Sequence, residues 1–202
     1  MCVGTSAAPP SEDVMRRHKV LLTAVAAFAL GGIASAFALL QQTDGDPAAA
    51  RRPAWHEVHW PFPMDQWGKG TAYRCKAADC GTEIEVYLRP KIGFCNCKTG
   101  MSDDADLDRV GDFDLFGGAL YAEAPGQPIK VAWMTGRSRP FAIRSARQSQ
   151  ATILTIGLHE NCDALVATAV LKRGQLAAVE PIVMEFLNSK TVVEWVETTL
   201  GL

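Results

Sequence analysis

The chain has 202 residues, with 20 Lys+Arg against 22 Asp+Glu, 48% apolar and 8% aromatic side chains. This ordinary globular composition excludes a mostly disordered, a collagen-like and a many-spanning membrane chain. A formal charge of -2, with both signs interspersed, offers no field to a polyanion and argues against nucleic acid as a partner.

Residues 1–19 read as a short cytoplasmic tail, with Met15 before Arg16 and Arg17 as the more natural start. Residues 20–40, VLLTAVAAFALGGIASAFALL, are 21 uncharged positions behind Arg16, Arg17, His18 and Lys19. At 1.5 Å rise per residue, ~20 apolar residues cross a bilayer core, and the basic flank stays cytoplasmic. The segment therefore predicts a single transmembrane anchor with the C-terminal part outside. The alternative is a signal peptide cleaved near Ala36, at Ala34-Ser35-Ala36, giving a secreted or periplasmic protein. Residues 41–53, QQTDGDPAAARRP, lack apolar periodicity and read as a flexible linker. The remainder, 54–202, is slightly acidic and long enough to bury a core of its own.

Within that domain, residues 82–88 (TEIEVYL) alternate Ile84, Val86 and Leu88 with Glu83, Glu85 and Tyr87, the period of a half-buried strand. Residues 129–134, 152–158 and 164–171 are further strand candidates, the last two joined as a hairpin through a five-residue loop, 159–163. Pro181 predicts the first turn of a helix reaching Asn188. Ser189 predicts the cap of a second helix with Val192, Val193, Trp195, Val196 and Leu200 as its apolar stripe. Strands followed by two short terminal helices predict an α+β fold with one mainly antiparallel sheet.

Five cysteines lie beyond the apolar segment: Cys75, Cys80, Cys95, Cys97 and Cys162. The first four, spaced C-x4-C-x14-C-x-C, are the ligand number of a tetrahedral zinc site, the metal alternative for Cys75, Cys80, Cys95 and Cys97. Export instead favours disulfides, and zinc pairs are more usually C-x2-C. Fifteen connectivities of two bridges are open. A bridge across the Cys75–Cys80 loop is short enough to form, Cys95 and Cys97 are too close for an unstrained bond, and Cys162 is the natural distant partner. Disulfide or thiol roles are thus assigned to these five, and no cofactor is expected outside the zinc alternative.

Other constellations read as structural. His159, Cys162 and Asp163 have the residue types of a nucleophilic set without any nucleophile signature around Cys162, so no catalytic residue is assigned. His59 follows His56 at a spacing that aligns imidazoles only on a helix, which Pro61 and Pro63 oppose. Trp55, Trp60, Phe62 and Trp67 predict core packing at the domain entrance. Asp104, Asp106 and Asp108 have the first spacings of a calcium loop, but Arg109 stands where Gly is needed, so Ser102 is expected as an N-cap with Asp103 and Asp104 behind it. Arg137, Arg139, Arg144 and Arg147 predict a solvated basic loop.

The exported, cysteine-containing, strand-rich layout resembles that of the secreted invasion-associated locus B family. The resemblance is one of layout alone, the C-terminal helices depart from it, and no residue role is carried over. The expected function is a membrane-tethered extracytoplasmic domain, non-enzymatic, that binds a protein partner or associates with the envelope. The alternative is a thiol-redox or metal-handling protein using the Cys75/Cys80/Cys95/Cys97 cluster.

Overall fold

A computed structural model describes residues 52–93, 97–117, 119–145 and 148–202, without the side chains of 144–150. These residues belong to one compact unit, Arg51–Leu202. Residues 1–51, with the apolar segment 20–40 and nearly all of the tether, and Cys95 lie outside the described residues, and no described helix is long and apolar enough to cross a membrane.

Eight strands build one antiparallel sheet: β1 Trp55–Val58, β2 Thr71–Cys75, β3 Ile84–Lys91, β4 Ala119–Ala122, β5 Gln127–Val131, β6 Met134–Ser145, β7 Gln148–Glu160 and β8 Asp163–Leu171. Their order is β1-β2-β3-β8-β7-β6-β4. The outer edge of the long β6 is shared, β5 pairing with its first residues up to Ser138 and β4 with Phe141 to Arg144. Four helices accompany the sheet among the described residues: α1 Ala77–Cys80, α2 Asp104–Val110, α3 Leu176–Leu187 and α4 Lys190–Leu200.

Period-two alternation gives the central strands, such as β3 and β8, two buried faces. On one, Ile84, Val86 and Leu88 stand across from Leu171, Ala169 and Ala167, and these from Leu154 and Ile156, all under Val179, Val183, Leu187, Val192 and Val196 of α3 and α4. Burying each such aliphatic side chain stabilises by roughly 1.5–3 kcal/mol. The opposite face has two smaller clusters: Met101, Leu107 and Val110 on Ala164 and Val166, and Phe141, Ile143 and Ile153 with Phe113 and Phe116. The connection between β3 and β4, carrying α2 and a 3-10 turn at Phe113–Phe116, covers this second face.

The mainly antiparallel sheet and the two terminal helices agree with the expected α+β class, and several local expectations are corrected. Residues 129–134 are not one strand: Val131 pairs with Met134 around a two-residue turn in which Ala132 takes φ 50°. Asn188 Oδ1 accepts from the Ala132 N–H at 2.8 Å, a tertiary contact supporting that turn. The 159–163 loop also contracts, because Glu160 pairs with Asp163 and only Asn161 and Cys162 turn, Asn161 at φ 53°. Asn tolerates this left-handed conformation better than most residues.

Helix α3 starts at Leu176, a turn before the expected position, with Pro181 inside it. The N–H that Pro lacks would have served Ala177, and both residues are exposed, so water can take that carbonyl. Ser189 caps α4 as expected, accepting from the Val192 N–H. The cap of α2 is Asp103, one residue beyond Ser102; its carboxylate accepts from the Asp106 N–H at 2.8 Å. Ser102 donates N–H and Oγ–H to Asp106 Oδ2, closing a reciprocal arrangement of the capping-box kind.

Candidate functional site

The described cysteines form two bridges, Cys75–Cys80 and Cys97–Cys162. The first joins the end of β2 to α1 inside the core, with Cys75 fully buried. The second ties the turn between β7 and β8 to the connection leading into α2, and Cys97 is exposed. In S–S bonds, Cys75, Cys80 and Cys97 are not thiolates, so the four-thiolate zinc set is not assembled from them. Among the described residues no group of three His, Cys, Asp or Glu side chains is placed to hold a metal ion.

His159 is not in a solvated loop. It lies in β7, where Nδ1 accepts from the Met101 N–H at 3.0 Å, Nε2 stands 3.3 Å from Thr135 Oγ1, and the ring packs on Gly100. Asp163 Oδ1 accepts from the Gly93 N–H at 2.7 Å. Both thus hold the connection over the sheet, each through a different backbone group, while Cys162 is bonded to Cys97.

The solvated-loop expectation is corrected for Arg137 and Arg139, while Arg147 and the side chain of Arg144 lie outside the described residues. Arg137 and Arg139 are in β6 and face α2: Arg137 reaches Asp104 at 2.7 Å and the Gly126 carbonyl at 2.7 Å, and Arg139 reaches Asp108 at 2.9 Å. The carboxylates that meet these arginines belong to this chain's own helix α2, and Asp104, Asp106 and Asp108, with calcium-loop spacing, are occupied by guanidinium groups. Farther along the same face, Arg89 is 2% exposed and bonds Asp112 at 3.2 Å and Asp65, while Lys91 reaches Asp112 at 2.8 Å and the Val110 carbonyl at 2.7 Å. Burial pushes the Asp112 carboxyl up against the lowering effect of Lys91 and Arg89. Two positive and two negative groups here fasten the loops at 65 and 112 to β3.

The four clustered aromatics divide between the faces. Trp55 stacks on Phe186 of α3, with ring centroids 4.2 Å apart. Trp60 and Phe62 instead meet Tyr87 on the other face, at 6.0 and 4.9 Å, and Phe62 meets Phe116 at 5.3 Å. Gly70 permits this layer, since a Cβ there would overlap Trp60 and the Leu88 carbonyl.

At the edge of this aromatic layer opens a cleft of about 450 Å³, lined by Phe62, Leu115, Phe116, Ile143 and Val170 among others, with Glu85, Tyr87 and Lys172 as its polar groups. The Tyr87 hydroxyl donates to Glu85 Oε2 at 2.7 Å, and Arg74 donates to Glu85 Oε1 at 2.7 Å. Lys172 stands 2.6 Å from Glu83 and 3.6 Å from Glu85. Burial, the largest single influence on Glu85, raises its pKa, but Tyr87, Lys172 and Arg74 together outweigh it and hold the carboxyl below its ordinary value. Burial and the bond to Glu85 push the Tyr87 phenol well above its ordinary value. Strand alternation alone puts Glu85 and Tyr87 on a wet face and does not reveal the cleft. The available signal is an aromatic residue on the polar side of an alternating strand, with Arg89 and Lys91 after it.

No family model matches the chain, and no curated protein matches it. A search of solved structures finds similarity to the crystal structure of protein PA94 from Pseudomonas aeruginosa, described as of unknown function and a candidate regulator. The TM-score is 0.36 at 9% identity, over 70% of this chain and 85% of that one.

Proposed function

We propose that the chain is a membrane-tethered extracytoplasmic domain that binds and does not catalyse, with residues 1–19 cytoplasmic, 20–40 spanning the bilayer and 41–53 as the tether. The observation that carries the reading is the covalent state, because cytosolic thiols are kept reduced while exported domains retain bridges such as Cys75–Cys80 and Cys97–Cys162. The chemistry of the cleft supports binding. General acid–base work is most effective with a pKa near the working pH, and Glu85 and Tyr87 are shifted away from neutrality in opposite directions.

Reporter enzymes fused after Leu202 test the topology. A reporter active only outside the cytoplasm is expected to work there, and activity of a strictly cytoplasmic reporter would reject the reading. Recovery of a soluble form beginning near Phe37 would retain export and replace the anchor with a cleaved signal.

A second reading, thiol-redox function, draws support from the exposure of Cys97 in its bridge, with Cys95 two residues away in sequence. Rapid alkylation of Cys95 in the folded protein, with exchange into the Cys97–Cys162 bridge, would favour it. An inert bridge would reject it.

A further inference from the structure

We propose that the cleft over β3 and β8 is a binding site for an uncharged amphipathic molecule: an aromatic or aliphatic body with a hydroxyl or amide head. The proposal deepens the binding reading above and rests on it.

The volume of about 450 Å³ falls within the ~300–1,000 Å³ of small-molecule sites. Its wall is pre-formed. Phe62, Tyr87 and Phe116 meet one another at 4.9, 5.3 and 5.7 Å between ring centroids, so each ring is fixed by the other two and does not fall into the opening. Ile143 and Val170, held by strand pairing, form the floor.

The polar side decides the charge of the ligand. Arg74 and Lys172 are balanced by Glu83 and Glu85 in one continuous set of pairs. A ligand of either charge meets its like within that set and has to displace an existing partner. A neutral head does not. A carboxylate offers about four acceptor positions and an ammonium three donors, so Glu85, already accepting from Tyr87 and Arg74, and Lys172, already donating to Glu83, retain capacity for a hydroxyl or amide. The apolar body then covers the aromatic wall, where removal from water supplies most of the affinity.

Three photoreactive probes with one body and different heads test this: hydroxymethyl-benzophenone, benzoylbenzoate and aminomethyl-benzophenone, applied to the full chain in lipid nanodiscs, with labelled peptides mapped by mass spectrometry. The neutral probe is expected to label peptides containing Phe62, Phe116 or Ile143 saturably. The two charged probes should label them about tenfold less, a modest like-charge cost. Ala151 also lines the cleft, and Ala151→Trp, which fills it, should abolish that labelling while the melting transition and both bridges persist. Leu115→Trp, on the 3-10 turn, makes the same test if the first variant does not fold. Absent or unsaturable labelling of those peptides, equal labelling by a charged probe, or labelling unaffected in the folded variants would overturn the proposal. The topology reporters separate the two readings: export without cleft labelling rejects this ligand and retains the compartment.

Discussion

Thr155, 1% exposed, has a hydroxyl without a hydrogen-bond partner, and the Nε of the nearly buried Arg89 is likewise unpartnered. A buried hydroxyl left unpaired costs about 1–3 kcal/mol, so Thr155→Val, which keeps the branched shape, is expected to raise stability by about 1 kcal/mol in a denaturant titration. A loss would mean that the hydroxyl is satisfied in solution. Arg89 behaves oppositely despite its orphaned Nε, because its guanidinium neutralises Asp112 and Asp65. Arg89→Met should therefore destabilise by about 1–3 kcal/mol, less than the loss of a buried charge's sole partner, because Lys91 still faces Asp112 and Asp65 is partly exposed. The sequence shows Arg89 and Lys91 only as charges at the end of an apolar strand. Their partners are 19 to 24 residues away, in loops or at the last residue of α2, where no periodicity points back to them.

At the scale of elements, the connection carrying α2 is held at its start by one bridge, one carboxylate and one imidazole. His159→Ala removes the acceptor of the Met101 N–H and the surface against which Gly100 packs. It is expected to cost about 1–2 kcal/mol, more than a substitution in a solvated loop, and to speed hydrogen exchange at Met101 more than in β8. A cost below about 0.5 kcal/mol would show the contact to be incidental. The strands are legible in the sequence wherever alternation is strict, as in β3, or where β-branched residues run together, as in β7 and β8. The β5–β6 hairpin is not, because its turn uses Ala132-Trp133 and relies on Asn188 from the end of α3, where a local Asn-Gly would have announced it. The basic stretch misleads for a related reason: charge alone reads as solvent exposure, and only tertiary pairing with Asp104 and Asp108 makes it a packed strand face. The cleft is illegible because it needs β3, β8, the 3-10 turn and Phe62 together.

For the whole molecule, acid stability is set by the carboxylates. Asp65 is lowered chiefly by its bond from Arg89, Asp104 by the Gly126 N–H and Arg137, and Asp106 by Ser102. Glu85 is lowered despite burial. Each contributes stability above its unfolded pKa and loses it as pH falls through the depressed folded value. Asp112, raised by burial, works in the other direction: its contribution is present at low pH and is lost as pH rises from its ordinary value towards the raised one. Four groups oppose one, so the melting temperature should fall between about pH 5 and about pH 3. A flat or rising profile in calorimetry over that interval would contradict this balance.

The proposed exported domain is closed by two particular bridges, one of them spanning 65 residues. In the chain-entropy model that long closure is worth about 4 kcal/mol and the short Cys75–Cys80 closure about 2 kcal/mol, so the pairing contributes to stability and also bears on the proposed compartment. The most direct measurement is peptide mapping of unreduced protein isolated from its native compartment, with thiols blocked at lysis. The expected result is a crosslinked peptide pair joining Cys97 to Cys162, together with a closed Cys75–Cys80 loop. Cys75, Cys80, Cys95, Cys97 and Cys162 all found unbridged and accompanied by stoichiometric zinc, or Cys97 and Cys162 bonded to other partners, would contradict the account.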